Sequence, residues 1–369
     1  MFFVLLSHFG FTFFPDQAAP LPTVMRLVGM VASPTFMTLS GLLLGFLYCT
    51  SPNSFKDLRI KLADRGLFLL TAGHLILLAS HAPLYTTRFL HITDTIGVCI
   101  LVQPWIISRL RPRGRLVLST ALFAASWALV ERWQPAGPAA HIVKETLFGS
   151  LTAANYYRFA FPVVPWFSLG LAATALGDRL GRYYLQGDDD GMLRLVMRTA
   201  TIALFAAVCG KVICVALLDL FPDNPLLIAA RTLSSPFEKQ PPGLLYICFY
   251  GAIGLYLLSA CMFLERTGRL RRQFALATMM GQTSLFVFLS HWFVYLIAIM
   301  GLRDRLPFAW AWPVYFVGSV LLVTSSAVAW HRRDYNRFIT VGYPHLHRAV
   351  RGWRLTNRHW GARPSVSSI

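Results

Sequence analysis

The sequence predicts an all-α fold, a polytopic integral membrane bundle of about ten transmembrane helices. Three observations lead there. Of the 369 residues 56% are hydrophobic, only 14% are charged, and the 34 Lys and Arg residues sit mostly in short runs between apolar stretches. Soluble domains carry about 25% charged residues. This chain lacks the polar groups to cover a soluble fold of its size, so lipid must solvate much of its surface. The net charge of +18 could suit a nucleic acid. Its distribution among short interhelical runs excludes that reading and leaves membrane lipid as the partner.

The apolar segments, in order, are 1–14, 24–49, 66–82, 89–108, 115–131, 156–177, 196–220, 242–264, 274–300 and 310–330. A spanning helix needs about 20 apolar residues, and the first segment falls short of that before polar Asp16. Ala18 and Ala19 could mark a signal-peptide cleavage site, but no basic residue precedes the apolar run. A truncated first helix is the expectation, with a natural reading frame that starts earlier. Residues 1–330 form the transmembrane domain. Residues 331–369 form a basic tail in which eight arginines, from Arg332 to Arg363, stand against Asp334 alone.

Orientation follows from the basic residues. One set of loops holds Lys56, Arg59, Lys61 and Arg65, then Arg109, Arg111, Arg113 and Arg115, then Arg179, Arg182, Arg194 and Arg198, then Arg266, Arg269, Arg271 and Arg272. The tail belongs to the same set. The alternate loops carry far fewer, so the positive-inside rule places the first set and the C-terminus in the cytoplasm. The six cysteines all fall within apolar stretches. They lack metal-ligand spacing and read as small packing residues, so no metal is expected.

Ionisable groups inside spans are expensive and therefore functional candidates. His8 lies near the outer end of the first segment and His291 in the outer half of the ninth. His91 and Asp94 are three apart at the start of the fourth, on one helical face. Lys211 lies deep in the seventh and calls for a partner, with Asp219 two turns along. His74, mid-span in the third, reads as a packed histidine. His81 and His141 join the outer group, and several outer histidines suit a general base facing the extracytoplasmic side. HExxH and GxSxG are absent, so metalloprotease and serine-hydrolase readings lack support.

Two proline motifs stand out. Arg158 and Phe161-Pro162-Val-Val-Pro165-Trp166 open the sixth span, with Trp166 expected at the outer interface. Lys239-Gln-Pro241-Pro242-Gly243 precedes the eighth and presents a lysine on a stiff turn.

Five segments together resemble a known family. They are Ser7-His8-Phe9-Gly10, Ser33-Pro34-Thr-Phe36-Met-Thr-Leu-Ser40-Gly41, the Phe161–Trp166 motif, the Lys239–Pro242 turn, and Gly281-Gln-Thr-Ser284-Leu-Phe-Val-Phe-Leu-Ser-His291. The chain is similar over about residues 1–300 to the bacterial group resembling heparan-α-glucosaminide N-acetyltransferase, within the transmembrane acyltransferase superfamily. It departs in two respects. The arginine often found about eleven residues before the first-helix histidine would precede Met1, and no histidine lies between Gly10 and Leu43.

The resemblance implies acyl transfer at a bacterial inner membrane, from cytoplasmic acyl-CoA, with acetyl-CoA as the expected donor, to an extracytoplasmic glycan or amino-sugar acceptor. His8 would be the base or carry a transient acyl adduct, and His291 would assist. Arg158, Lys239, Asp94 and His91 would bind the acceptor or stabilise developing negative charge. The clusters Arg109, Arg111, Arg113 and Arg115, and Arg269, Arg271 and Arg272, would hold the CoA phosphates. No cofactor is expected to stay bound, and a homodimer is admissible. The alternatives are a transporter or flippase of an anionic or lipid-linked substrate, and an inactive subunit of an envelope assembly.

Overall fold

A computed structural model describes residues 1–17, 19–81, 88–151, 156–157, 159–221, 240–268, 271–303 and 309–342. Apolar sequence becomes helix because a helix satisfies its own backbone polar groups, as lipid requires. The helices are α1 (Phe2–Phe13), α2 (Pro20–Gly29), α3 (Ala32–Thr50), α4 (Phe55–Phe68) and α5 (His74–Ser80). Then come α6 (Ile92–Ile107), α7 (Pro112–Arg132), α8 (Pro138–Leu147), α9 (Val163–Leu185) and α10 (Asp189–Leu220). The last are α11 (Leu244–Thr267), α12 (Arg271–Gln282), α13 (Ser284–Phe293), α14 (Met300–Arg303) and α15 (Trp312–Arg332). Proline opens α2, α7, α8 and α15, where its missing N–H costs nothing. Asp188 caps α10 by accepting from the Gly191 N–H at 2.7 Å, and left-handed Gly268 ends α11.

Each of the ten apolar segments contains a helix, but their lengths differ. Six stretches are long and apolar enough to cross a membrane: 20–50, 55–80, 112–132, 189–220, 244–267 and 312–332. A seventh is a pair bent by 78°, residues 273–282 with 284–299. Helices α1 and α6 are apolar but short. Helix α9 carries Asp178, Arg179 and Arg182 in its second half. The all-α membrane bundle thus stands, with six or seven clear spans among the described residues. The one strand pairing there is a two-residue parallel contact of Phe89–Leu90 with Phe159–Ala160.

The central crossing is α3 on α9. A Cβ on Gly41 would lie 2.0 Å from the Gly170 carbonyl oxygen, and one on Gly45 would lie 2.0 Å from that of Thr174. Only glycine permits this backbone approach. Around it, Met37, Cys99, Trp166, Leu171 and Tyr246 form the largest core cluster. A second cluster joins α1 to α15 through Phe9, Tyr295 and Phe316. A third joins Leu77 to Leu289 and Trp292.

Pairwise contacts gather the basic loops at one end of the bundle. Arg59 lies 3.9 Å over Trp105, Arg115 meets Asp178, and Arg266 meets Asp190 at 2.6 Å. The Val341 N–H reaches Asp64 at 3.1 Å, tying the segment after α15 to α4. The alternate loops meet at the other end, where Trp127 donates to the Pro242 carbonyl at 3.3 Å.

Candidate functional site

The site forms at the seam of the three clusters. Helix α1 is held against α2 at Gly29, where a Cβ would lie 2.2 Å from Ser7 Cβ. That approach fixes His8, the next residue, against α13. His8 Nδ1 lies 2.7 Å from His291 Nε2. His291 is fully buried, and its Nδ1 lies 3.0 Å from the Val287 carbonyl. A carbonyl only accepts, so with both rings neutral His291 carries its proton on Nδ1. Its Nε2 then accepts from the His8 Nδ1–H. This assigns the basic lone pair of His8 to Nε2.

Trp292 stacks on His8 with centroids 4.1 Å apart and packs on His81 at 4.6 Å. His81 packs on His91 at 4.8 Å and directs Nδ1 to the Leu77 carbonyl at 2.8 Å. His74 and His91 have centroids 6.1 Å apart. His74 Nδ1 is 3.0 Å from each Asp94 carboxylate oxygen. Five histidines therefore run as one continuous cluster. Two π-helical turns flank it, Leu69–Gly73 just before His74 and Val294–Ile299 just after α13. Such turns re-aim side chains within a helix and recur at functional sites.

A cavity of about 70 Å³ opens beside the histidines, lined by Ser7, His8, Ser33, His91, Phe161 and Trp292 among others. His91, one of its lining residues, has a buried Nε2 with no hydrogen-bond partner among the described residues. A buried polar group left unsatisfied costs free energy unless a ligand or water meets it. Among the described residues no three His, Cys, Asp or Glu side chains could together hold a metal ion, and all six cysteines are free. Imidazole side chains such as these can take and return a proton near neutral pH.

His8, His291, His91 and Asp94 thus come together. His91 and Asp94 pair as a capping box at the start of α6, with the His91 backbone N–H 2.8 Å from Asp94 Oδ2 and the His91 side chain on the Asp94 backbone. Sequence reasoning set His74 aside. Its signal was present, an ionisable group in mid-span, but the partner on another helix was not visible.

Other residues land differently. Trp166 lies in the first turn of α9 and is fully buried beside Phe161 and Tyr246. Pro162 caps that helix, and Pro165 sits in its first turn. Pro241 and Pro242 are buried, with Pro241 packed over Gly149. Arg115 is fully buried and bonds Asp178, Thr174 and the Leu110 carbonyl, so its guanidinium faces inward. Arg109 bonds the Trp105 carbonyl at 3.2 Å, and Arg111 and Arg113 are exposed. Lys211 and Asp219 are exposed on α10, and no ion pair forms at Lys211 among the described residues. At 1.5 Å per residue this 32-residue helix is about 48 Å long. Lys211 can therefore extend its ammonium toward an interface without a partner. Arg158, Lys239 and Arg269, and the side chains of Arg271 and Arg272, lie outside the described residues, as does the tail beyond Gly342.

The fold and site define a helical membrane protein with a buried histidine cluster beside a small cavity. Comparison with protein-family models, curated proteins and solved structures finds no match.

Proposed function

We propose that this chain is a membrane-embedded acyltransferase. It moves an acyl group, acetyl in the simplest case, from cytoplasmic acyl-CoA to an extracytoplasmic glycan or amino sugar. The observation that carries this reading is the His8–His291 hydrogen bond of 2.7 Å at the wall of the cavity. It orients His8 and puts its basic lone pair on Nε2. His291, anchored to Val287, acts as the positioning residue. His8 Nε2 takes the proton from an acceptor hydroxyl or amine as that atom attacks the thioester carbonyl. The carbon–sulfur bond breaks, and the proton passes to the departing thiolate. His91, which lines the same cavity, helps to bind the acceptor. The reading also takes the helices as ten spans, with the basic loops cytoplasmic and the membrane a bacterial inner membrane. Arg109, Arg111 and Arg113 are then placed to attract the CoA phosphates.

The test is acetyl-CoA turnover by the full chain in lipid nanodiscs, read as free CoA released on addition of glucosamine. His8→Ala at matched membrane level should lose about 10²–10⁴-fold of rate. Undiminished turnover would refute the role of His8. The bent pair of helices, with its 78° break, favours a second reading, a proton-coupled transporter. Solute uptake driven by a pH gradient, without CoA release, would decide for it.

A further inference from the structure

A second, larger cavity lies away from the histidines. It is a slot of about 340 Å³. Helices α9 and α11 form its floor, and α7 and α10 its walls. The floor is lined by small residues such as Ala172, Ala173, Gly251 and Ala252, which leave it open. The floor residues of α9 run from Leu169 to Arg179, about 15 Å at 1.5 Å per residue. That is about half of a 30 Å hydrocarbon core, the depth of one leaflet.

The slot is apolar along this length and cationic at one end, where Arg113 and Arg179 line it. Both arginines are exposed, and neither has a carboxylate partner among the described residues. Four nearby arginines are paired. Arg115 and Arg182 share Asp178, Arg194 faces Asp188, and Arg266 faces Asp190. The carboxylates of Asp178, Asp188 and Asp190 are thus already engaged. Helix α7 also begins at Pro112 on the rim of the slot. The N–H groups of its first turn, unbonded within the helix, favour an anion there.

We propose that this slot seats one acyl chain of an anionic phospholipid from the leaflet at the arginine-rich end, with the phosphate held by Arg113 and Arg179. An apolar channel of leaflet depth matches the chain. Two unpaired guanidiniums at headgroup level match the phosphate. The site does not depend on the acyltransferase reading.

The test uses the full-length protein in detergent, titrated with dioleoyl-phosphatidylglycerol, dioleoyl-phosphatidylcholine or glycerol 3-phosphate and read by native mass spectrometry. One phosphatidylglycerol should bind per chain, about 30-fold tighter than phosphatidylcholine, as expected for two arginines beside an anionic headgroup. Glycerol 3-phosphate should not bind. Arg113→Gln with Arg179→Gln should abolish the preference. Gly251→Leu should weaken both lipids, because a Cβ there meets no atom within 4 Å and the side chain can fill the slot without displacing backbone. Ala203→Phe, on the α10 wall, repeats that test from the other side. Equal affinity for the two lipids, an unchanged preference in the arginine variant, or full binding when both slot-filling variants are folded would overturn the proposal. So would one-for-one displacement of phosphatidylglycerol by acetyl-CoA, which would assign the slot to the donor.

Discussion

Replacing Asp178 by leucine should destabilise the bundle by about 3–5 kcal/mol, the usual cost of stripping one partner from a buried ion pair. Asp178 accepts from Arg115 Nη2 at 3.2 Å, and the two side chains are 7% and 1% exposed. Arg115 also donates to the Thr174 carbonyl at 3.2 Å, to Thr174 Oγ1 at 3.3 Å and to the Leu110 carbonyl at 3.0 Å. Those bonds hold the guanidinium in place, so it cannot swing out to water when its carboxylate is lost. Arg182, whose side chain is 62% exposed, loses a partner at little cost. Unfolding entropy of about 2.1 cal/mol/K per residue over the whole chain makes 1 kcal/mol worth about 1.3 °C. The single variant should therefore melt about 4–6 °C lower, measured by fluorescence-detected size exclusion after heating in detergent. Adding Arg115→Met removes the stranded charge and should restore most of the loss. A single variant that melts within about 1 °C of wild type would refute the reasoning, and so would a double variant that falls as far as the single.

Three further outcomes are expected. His291→Leu should lower acetyl-CoA turnover, whereas His291→Gln, whose side-chain oxygen can accept from His8 Nδ1, should recover part of it; equal activity in the two variants would argue against a positioning role. Gly29→Ala should loosen α1 from α2 and lower both thermal stability and turnover, and the added Ser7→Gly, which removes the clashing atoms, should restore stability. Reporter fusions after Arg113, Arg182 and Arg271 should read cytoplasmic and one at Pro135 external, while a cytoplasmic signal at Pro135 would break the ten-span orientation.

Much of the fold was legible because the solvent imposes a strong rule. Lipid demands long apolar stretches, so each segment read from hydropathy contains a helix. The lengths were less legible. Residues 196–220 read as one span, but the helix starts at Asp189, since a capped and hydrated turn continues a helix beyond the apolar stretch. The charge on Asp178 and the arginines beside it likewise belongs to a helix that runs on past its apolar part. At the site, His8 and His291 were found because an ionisable side chain in an apolar segment is itself a signal. Their contact was not legible, since 283 positions separate them.

The sequence by itself determined an all-α membrane bundle, the clustering of its basic loops and the histidines that merit attention. Each of these depends on composition or on local order along the chain. Only the tertiary structure decided which charges are paired. It buried Arg115 on Asp178, left Arg113 and Arg179 on an apolar slot, drew His74 to Asp94, and enclosed Trp166 in the core. Those outcomes depend on which helix faces meet, and that is set by close approaches such as Gly41 and Gly45 on α9. A glycine in the sequence shows that a backbone can come near, but not which one does.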